Sequence, residues 1–523
     1  MSARPLVAIA AALALAVACR HAEPAPEAAA ADAQRGSPPR QANGQTTARP
    51  QPAPEAAAAA ADPRAAVPKP GPAPALKVPP QRHFQLSNGL RVRLVEYHRL
   101  PIVALHLVVD AGALHDPANK PGLASFTAAM MTEGTKRRTA TRISDDLGFL
   151  GASLSAGAGF DSASLSGSVL TSRLDGLLDV FADVLLHPIF PKGDFARVQD
   201  SRLVSLIQQR DVPGAVASKA FAKLYWGDHP YGHWLLGTEG SLKAMKREDL
   251  ARYHAARWRP GAAELVVVGD VTEEALRAKL ERVLGAWKGG APPPTKIAFV
   301  QPGRLQTVLI EKAKAPQAFV MMGMPGFERS APDYVPAEVA FQVLGGGMSS
   351  RLFRNLREKE GYTYGIYARS ESRKLGGTSF IVGSVKSDVT GPATKALLQE
   401  IAELRDTPVP DPELDVARNS LLLSLPGDFA TAAGIAGKLA EEVIYGLPDN
   451  YWDSYAAEVA KVSADDVRRI AQRYLDPAKL TTVMVCDAGA VKPQLAGLPL
   501  GDVEVRAGPT RGGKTPADTR AAR

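Results

Sequence analysis

Two apolar rhythms alternate along the chain between about residues 81 and 506. Runs of β-branched and apolar residues bounded by turn formers predict strands: VALHLVVDAG (Val103 to Gly112), ASLSGSVL (Ala163 to Leu170), AELVVVGD (Ala263 to Asp270), QTVLI (Gln306 to Ile310), AFVMMGM (Ala318 to Met324) and LTTVMVCD (Leu480 to Asp487). Between them, LDGLLDVFADVLLH and EEALRAKLERVLGAW place apolar residues three and four apart, the spacing of one helix face. GLASFTAAMMTEGT (Gly122 to Thr135) starts as an amphipathic helix and runs into a Gly-Thr turn, and its polar positions carry almost nothing that could do chemistry.

The pattern repeats. EDLARYHAARWRPGAAELVVVGD (Glu248 to Asp270) and DDVRRIAQRYLDPAKLTTVMVCD (Asp465 to Asp487) share one design at a constant offset of 217 residues, without a gap. Asp249 matches Asp466, Pro260 matches Pro477, and Asp270 matches Asp487. A helix, a Pro-containing turn, an apolar strand and a terminal Asp recur in that order, which predicts two copies of one α+β domain. The Pro/Gly-rich GGAPPPTK (Gly289 to Lys296) divides them, giving expected domains over residues 81–290 and 297–506. Two cores also suit a chain of 523 residues, because single cores rarely grow past about 250–300 residues. Cys486 then takes the place of Gly269 at a buried strand end, where a thiol is an inert core residue.

The two ends of the chain follow other rules. MSARPLVAIAAALALAVAC (residues 1–19) has one positive charge at Arg4, an apolar run and small residues leading to Cys19, the layout of a secretory signal. The run is too short to span a membrane. Ala16-Val17-Ala18-Cys19 resembles a lipoprotein lipobox, which implies acylation of Cys19; ordinary signal cleavage is the alternative. Residues 20–80 are Ala, Pro, Gln and Glu with almost no large apolar side chain, and so predict a disordered tether. Residues 507–523, rich in Gly, Pro and basic side chains, predict a tail. The expected address is therefore export to the periplasm of a Gram-negative bacterium, on a lipid anchor in the membrane. With only Cys19 and Cys486 in the sequence, no disulfide framework is available.

Composition excludes more than it suggests. The content is 45% hydrophobic and 22% charged, as in soluble globular proteins. The net charge of +8 is spread among nearly as many acids, with no basic stripe interleaved with aromatics, so nucleic acid is not an expected partner. His229 and His233 in HPYGH are four apart, but Pro230 and Gly232 oppose a helix and no acid lies between them, so the pair reads as a structural loop rather than a metal site. His106 in a strand and His115 in a turn have no carboxylate at ligand spacing. No nucleophile elbow, phosphate loop or Cys-His pairing is present. A self-contained active site is not visible in these residues.

The order of segments nevertheless has a counterpart. GLASFTAAMMTEGT, HPYGHWLLGTEGSL, DLARYHAARWRPGAAELVVVGDV and above all VLGGGMSSRLFRNLREKEGYTYGIYA resemble the pitrilysin/insulinase family of zinc metallopeptidases, in the branch of two-domain subunits typified by bacterial members and the mitochondrial processing peptidase. The resemblance covers residues 81–505. It implies an α+β fold of two homologous domains, each a mostly antiparallel sheet packed by helices, here preceded by a signal peptide and a disordered linker. In active members a helix carries His-x-x-Glu-His, whose two His bind zinc while the Glu activates water, and a Glu from a helix further on completes the ligands. The corresponding positions here are Ser125, Ala128 and Ala129, and the downstream helix SRLVSLIQQRD (Ser201 to Asp211) has no Glu on the expected turn. The resemblance therefore implies a degenerate metal site that binds no zinc.

The second domain differs. The family uses an Arg and a Tyr seven residues apart, after a Gly-rich turn, to meet the substrate backbone and the scissile carbonyl oxygen. LREKEGYTYG supplies Arg357 and Tyr364 at that spacing, and Gly345, Gly346 and Gly347 are expected to form the turn that lets a substrate strand come close. Without that frame, Arg357 would be a solvated helix charge and Tyr364 a half-buried strand residue. Tyr362, two residues earlier, is expected on the same strand face as Tyr364. Three readings follow: a non-zinc subunit, inactive alone, that forms a heterodimer with a zinc-bearing pitrilysin-like relative and completes a composite site for peptides; a catalytically silent peptide-binding or scaffold lipoprotein; and a stand-alone zinc peptidase with unusual ligands. Retention of Arg357 with Tyr364 favours the first, with zinc expected in the partner.

Overall fold

The repeat in the sequence is a repeat of topology. A computed structural model describes residues 71, 76–293, 295, 297 and 303–509; the leader with Cys19, most of the tether and residues 510–523 lie outside the described residues. In chain order the first half contains β1 (Arg82–Gln85), β2 (Arg91–Glu96), β3 (Ile102–Val109), α1 (Leu123–Met131), α2 (Ala140–Leu150), β4 (Ser153–Ala158), β5 (Ala163–Leu170), α3 (Leu174–Leu186), α4 (Lys192–Gln208), α5 (Pro213–Trp226), α6 (Glu239–Ala244), α7 (Arg247–Arg257), β6 (Ala263–Gly269) and α8 (Glu273–Leu284). The second half contains β7 (Gln306–Glu311), β8 (Gln317–Pro325), α9 (Tyr334–Gly345), a π-helical turn (Phe353–Lys359), β9 (Thr363–Arg373), β10 (Gly376–Lys386), α10 (Thr390–Asp406), α11 (Asp411–Asp428), α12 (Ala432–Tyr445), α13 (Tyr451–Lys461), α14 (Ala464–Tyr474), β11 (Thr481–Cys486), α15 (Ala488–Val491) and β12 (Val503–Arg506). α14 is α7 shifted by 217 residues at both ends.

The sheets have the strand orders β1-β2-β6-β3-β5-β4 and β12-β7-β11-β8-β10-β9, so five strands recur in the same positions and only the outermost strand differs. In each, one central pair is parallel (β2 with β6, β7 with β11) and the neighbours are antiparallel, apart from β12, which adds parallel to β7. The repeat extends to the helix caps. Asp249 accepts the Lys246 N–H at 2.9 Å, and Asp466 accepts the Ser463 N–H at 3.0 Å. A carboxylate three residues inside a helix satisfies a donor that the helix itself leaves unpaired. Cys486 is fully buried, and burial pushes its thiol up to about 12.

Each sheet is covered on one face by helices of its own half and on the other by a helix from the opposite half. α12 lies on β3 and β6, and α5 lies on β11 and β8. Alternation along the strands records this. Leu265 and Val267 of β6 belong to the core of the first half, while Val266 and Val268 join the core of the second. In β11, Met484 and Cys486 face the second half's own core, while Val483 and Val485 meet Ala217, Phe221, Tyr225 and Trp226 of α5. A strand buried on both faces is apolar over most of its length, which is why LVVV in β6 and VMVC in β11 read as apolar runs after the buried Glu264 and the Thr481–Thr482 pair. Gly323 makes room for the exchange: a Cβ there would lie 2.0 Å from the Phe221 ring.

A polar tie accompanies the apolar one. Arg93 of β2 is buried; its Nη1 donates to Glu442 Oε2 of α12 at 2.6 Å and to Gln81 Oε1 at 2.8 Å, and its Nε to Glu264 Oε1 of β6 at 3.0 Å. Burial pushes the Glu442 carboxyl from 4.5 up to about 7, against the pull of Gln81 and Arg93. With the folded value raised, the folded chain keeps a proton that the unfolded chain releases. This contribution to stability is full below about 4.5 and is lost as the pH rises through about 7. Urea unfolding at pH values between about 5 and 8 should therefore show wild type losing stability relative to Glu442→Gln, in which that component is flat. Near neutral pH, Arg93→Ala should cost roughly 3–5 kcal/mol because it leaves Glu442 buried without its cation, while Glu264 keeps Arg91 at 3.1 Å, and Glu442→Gln should cost less. Equal costs would contradict the tie.

Candidate functional site

α1 begins where Asp116 reaches back to it. The Asp116 carboxylate accepts the Gly122 and Ala124 N–H groups, each at 2.7 Å, and Gly122 takes the left-handed φ of 92° at the N-cap. Acidic groups suit a helix N-terminus because its first N–H groups have no partners within the helix. Ser125 and Ala129 lie one turn apart on a half-buried face, while Ala128 is fully buried in the core of the first half. The spacing of the sequence motif is thus kept as geometry, with side chains that have no ligand chemistry.

Ser125 is already committed. Its hydroxyl donates to the Leu235 carbonyl, and the guanidinium of Arg202 on α4 reaches it from the other side. Arg202 Nη1 donates to Ser125 Oγ at 3.0 Å, and Nη2 to the Ser125 carbonyl at 2.8 Å. The guanidinium carbon sits 4.8 Å from the centre of the Phe126 ring, which stacks at 5.1 Å on Phe195. Arg202 is 9% exposed; burial lowers its pKa to about 10, and Asp116 pulls the other way, so it is cationic at neutral pH. Burial pushes Asp116 up to about 7, against its backbone donors and Arg202. Zinc requires deprotonated nitrogen, sulfur or oxygen donors. A committed hydroxyl, two methyl groups and a cation do not fit it, and among the described residues no three His, Cys, Asp or Glu side chains converge.

In the second half, Arg357 and Tyr364 come together. Arg357 lies in the last turn of the π-helical segment; its Nη1 donates to the Thr363 carbonyl at 3.3 Å, and its guanidinium carbon lies 4.7 Å from the Tyr364 ring centre. Between β9 and β10, Ser384 pairs with Gly365 and Val385 with Thr363, so Tyr364 is the extra residue of a β-bulge. Bulges re-aim side chains and interrupt alternation. Tyr364 is 73% exposed as a result. The bulge is pinned by Thr363, whose hydroxyl accepts the Gly365 N–H at 3.0 Å and donates to the Ser384 carbonyl at 2.5 Å. β9 is the outermost strand of its sheet, and so is β4, which packs beside α1 in the other.

Two expectations need correction here. Tyr362 does not share a strand face with Tyr364. It precedes β9, packs against the core of the second half, and is separated from Tyr364 by the onset of the bulge. Gly345 has an internal task. It is the last residue of α9, and a Cβ on it would lie 2.2 Å from the Ala368 amide nitrogen, so its missing side chain lets α9 press on β9. Gly346 and Gly347 follow at the surface, and none of the three has a positive φ.

The histidines fall in structural settings. His229 Nδ1 accepts the Tyr231 N–H at 3.1 Å and caps a short 3-10 turn, and burial lowers the pKa of both His229 and His233. Tyr231, fully buried in this loop, donates its hydroxyl to Asp161 and accepts the Leu375 N–H at 3.1 Å, joining the loop to the β9–β10 hairpin. His115 pairs with Asp110 at 3.0 Å, and burial in β3 lowers the pKa of His106. The sequence pattern did not single out Arg202 or Thr363. The signal for Arg202 was present: Phe195, Val198, Arg202 and Leu206 form one helical stripe with a charge on its core-facing side.

This geometry has counterparts among known proteins. Residues 91–239 match the family described as Insulinase (Peptidase family M16), and residues 244–421 match the Peptidase M16 inactive domain. A Bacillus subtilis protein named Uncharacterized zinc protease YmxG is 24% identical over 66% of this chain and 84% of its own length. The Helicobacter pylori protein named Non-peptidase homolog YmxG is 24% identical over 77% of this chain and 93% of its own. A crystal structure of a peptidase M16 inactive domain from Pseudomonas fluorescens superposes with a TM-score of 0.73 at 28% identity, covering 78% of this chain and 98% of that one. The two matched segments span well over half of the chain and contain both α1 and the Arg357–Tyr364 pair, and the chain belongs to the insulinase, or M16, family of peptidases as a member without the family's zinc-binding residues.

Proposed function

We propose that this chain is the non-zinc subunit of a heteromeric M16 peptidase, supplying Arg357 and Tyr364 to a peptide-hydrolysing site that a zinc-bearing relative completes. The observation that carries this reading is the contrast between the halves. The α1 face is closed by Arg202, while Tyr364 is lifted into solvent by a pinned bulge with Arg357 stacked on it. A tyrosine hydroxyl aimed outward can donate a hydrogen bond that tightens as charge develops on a carbonyl oxygen. Arg357 presents a fork of donors to backbone carbonyls. β9 is the outermost strand of its sheet, bridged at Arg373 by Glu328 in addition to its pairing with β10, and the edge at its Tyr364 end suits an extended peptide, which would add to the sheet by main-chain hydrogen bonds. The name Non-peptidase homolog, carried by the Helicobacter pylori relative, supports the absence of hydrolysis by such a chain alone and also suits a silent peptide-binding protein.

The two readings separate on one hydroxyl. With a zinc-bearing partner supplied, Tyr364→Phe should leave assembly intact and lower kcat by about 10²–10³, the usual loss for one oxyanion donor. Arg357→Ala should raise KM as well, because a backbone contact is felt in the ground state. Tyr362→Phe, on a side chain packed against the core, is the control and should hydrolyse a reporter peptide at the wild-type rate. Wild-type rates for both Tyr364→Phe and Arg357→Ala would leave the silent binder as the correct reading.

We further propose that the chain is exported to the periplasm and held at a membrane by an acylated Cys19, on the strength of the leader and the lipobox-like AVAC. Among the described residues no helix is long and apolar enough to cross a membrane. Cys19→Ala should move the protein from the membrane fraction to the soluble one; a variant that still pellets places the anchor elsewhere.

A further inference from the structure

The loss of a zinc site leaves a physical problem that three substitutions do not solve. A bound divalent ion ties the helices that ligate it and places positive charge between them, and its ligand binding free energy becomes folding free energy. With methyl groups at 128 and 129 and a hydroxyl at 125, α1 has nothing to hold the downstream helix by that means. α4 is that helix, and it meets α1 through Arg202.

We propose that Arg202 is a built-in cation standing in for the metal: it ties α4 to α1 where a zinc-bearing relative uses its ion, and it bars metal from that face. Three observations carry this. The position is right, since the guanidinium lands on Ser125, which occupies the place of the motif's first His, and comes from the helix on which the motif's last ligand would lie. The attachment is double, through Nη1 to the Ser125 hydroxyl at 3.0 Å and Nη2 to its carbonyl at 2.8 Å, two nitrogens held in a fixed planar fork where an ammonium has one nitrogen on a flexible stem. The setting suits a cation, with the Phe126 ring face 4.8 Å away and Asp116 acting on it electrostatically from the α1 N-cap. A second cation placed beside a desolvated guanidinium would meet like-charge repulsion that little water screens. Rebuilding the ligand motif is therefore insufficient while Arg202 remains. This holds whether or not the chain pairs with a zinc-bearing relative.

The test compares two variants of the full chain by equilibrium dialysis against zinc, read as metal per chain and as the zinc-induced shift of the thermal midpoint. Ser125→His/Ala128→Glu/Ala129→His keeps Arg202 and should retain no zinc at concentrations where the same variant carrying Arg202→Glu in addition retains about one ion per chain. Zinc should raise the thermal midpoint of the second variant only. Equal, tight zinc binding by both would overturn the proposal, as would failure of a folded four-fold variant to bind. Should the rebuilt variants not fold, Arg202→Lys and Arg202→Met in the otherwise unchanged chain decide the tie. Both should lower the thermal midpoint, because the lysine keeps the charge without the planar two-nitrogen fork and the methionine keeps bulk without charge. An unchanged midpoint in both would show that Arg202 holds nothing together.

Discussion

The rest of the structure depends on the exchange of α5 and α12. Each half folds a sheet that its own helices can cover on one face only, and the second face is closed by the equivalent helix of the other half. Apolar sheet faces cannot be left in water at this scale without a large free-energy cost. Neither half can therefore leave the other without exposing β3 and β6, or β8 and β11. The Arg93–Glu442 contact and the Tyr231–Asp161–Leu375 connection lie on the same boundary and give it direction, since hydrogen bonds demand a register that apolar contact alone does not. The described residues accordingly lie within one compact unit.

On this shared frame the two halves differ most where α1 and the β9 bulge lie. α1 and α9 are corresponding helices that pack against corresponding sheets, yet α1 is turned wholly to packing, with Arg202 and Leu235 consuming what polarity Ser125 has. The second half keeps a costly arrangement: an aromatic ring 73% exposed, a bulge that breaks the sheet ladder, and a threonine committed to holding it. Features that reduce stability and are supported by their neighbours mark functional sites more often than neutral ones do. The asymmetry suits the proposed subunit, which would contribute to chemistry without housing the metal.

Much of the fold was legible in the chain because local rules decide it. The apolar runs at 265–268 and 483–486 and the 217-residue offset that matches Asp249 with Asp466 are enough to place these strands and the duplication. The helix exchange was not legible, since periodicity shows that a face is apolar without showing what covers it. Tyr362 was misplaced because alternation was carried through a bulge, and a bulge is set by pairing with β10, some twenty residues away in sequence. Gly345 was assigned to a substrate because a glycine run looks alike whether a ligand or the protein's own Ala368 comes close. The degenerate motif could be read residue by residue, but its replacement by Arg202 joins positions 77 apart and shows only in the folded chain.

The central claim is that this chain completes a site it does not contain. Its most direct test is a titration: the purified chain is added to a fixed amount of a zinc-bearing M16 relative, and hydrolysis of a quenched peptide is followed with metal content measured on each protein. The expected result is no hydrolysis and no retained zinc for this chain alone, and a rate that rises with added chain and levels off at one chain per partner. A relative whose hydrolysis is unchanged by the addition, or a chain that alone retains one zinc and cleaves the peptide, would contradict it.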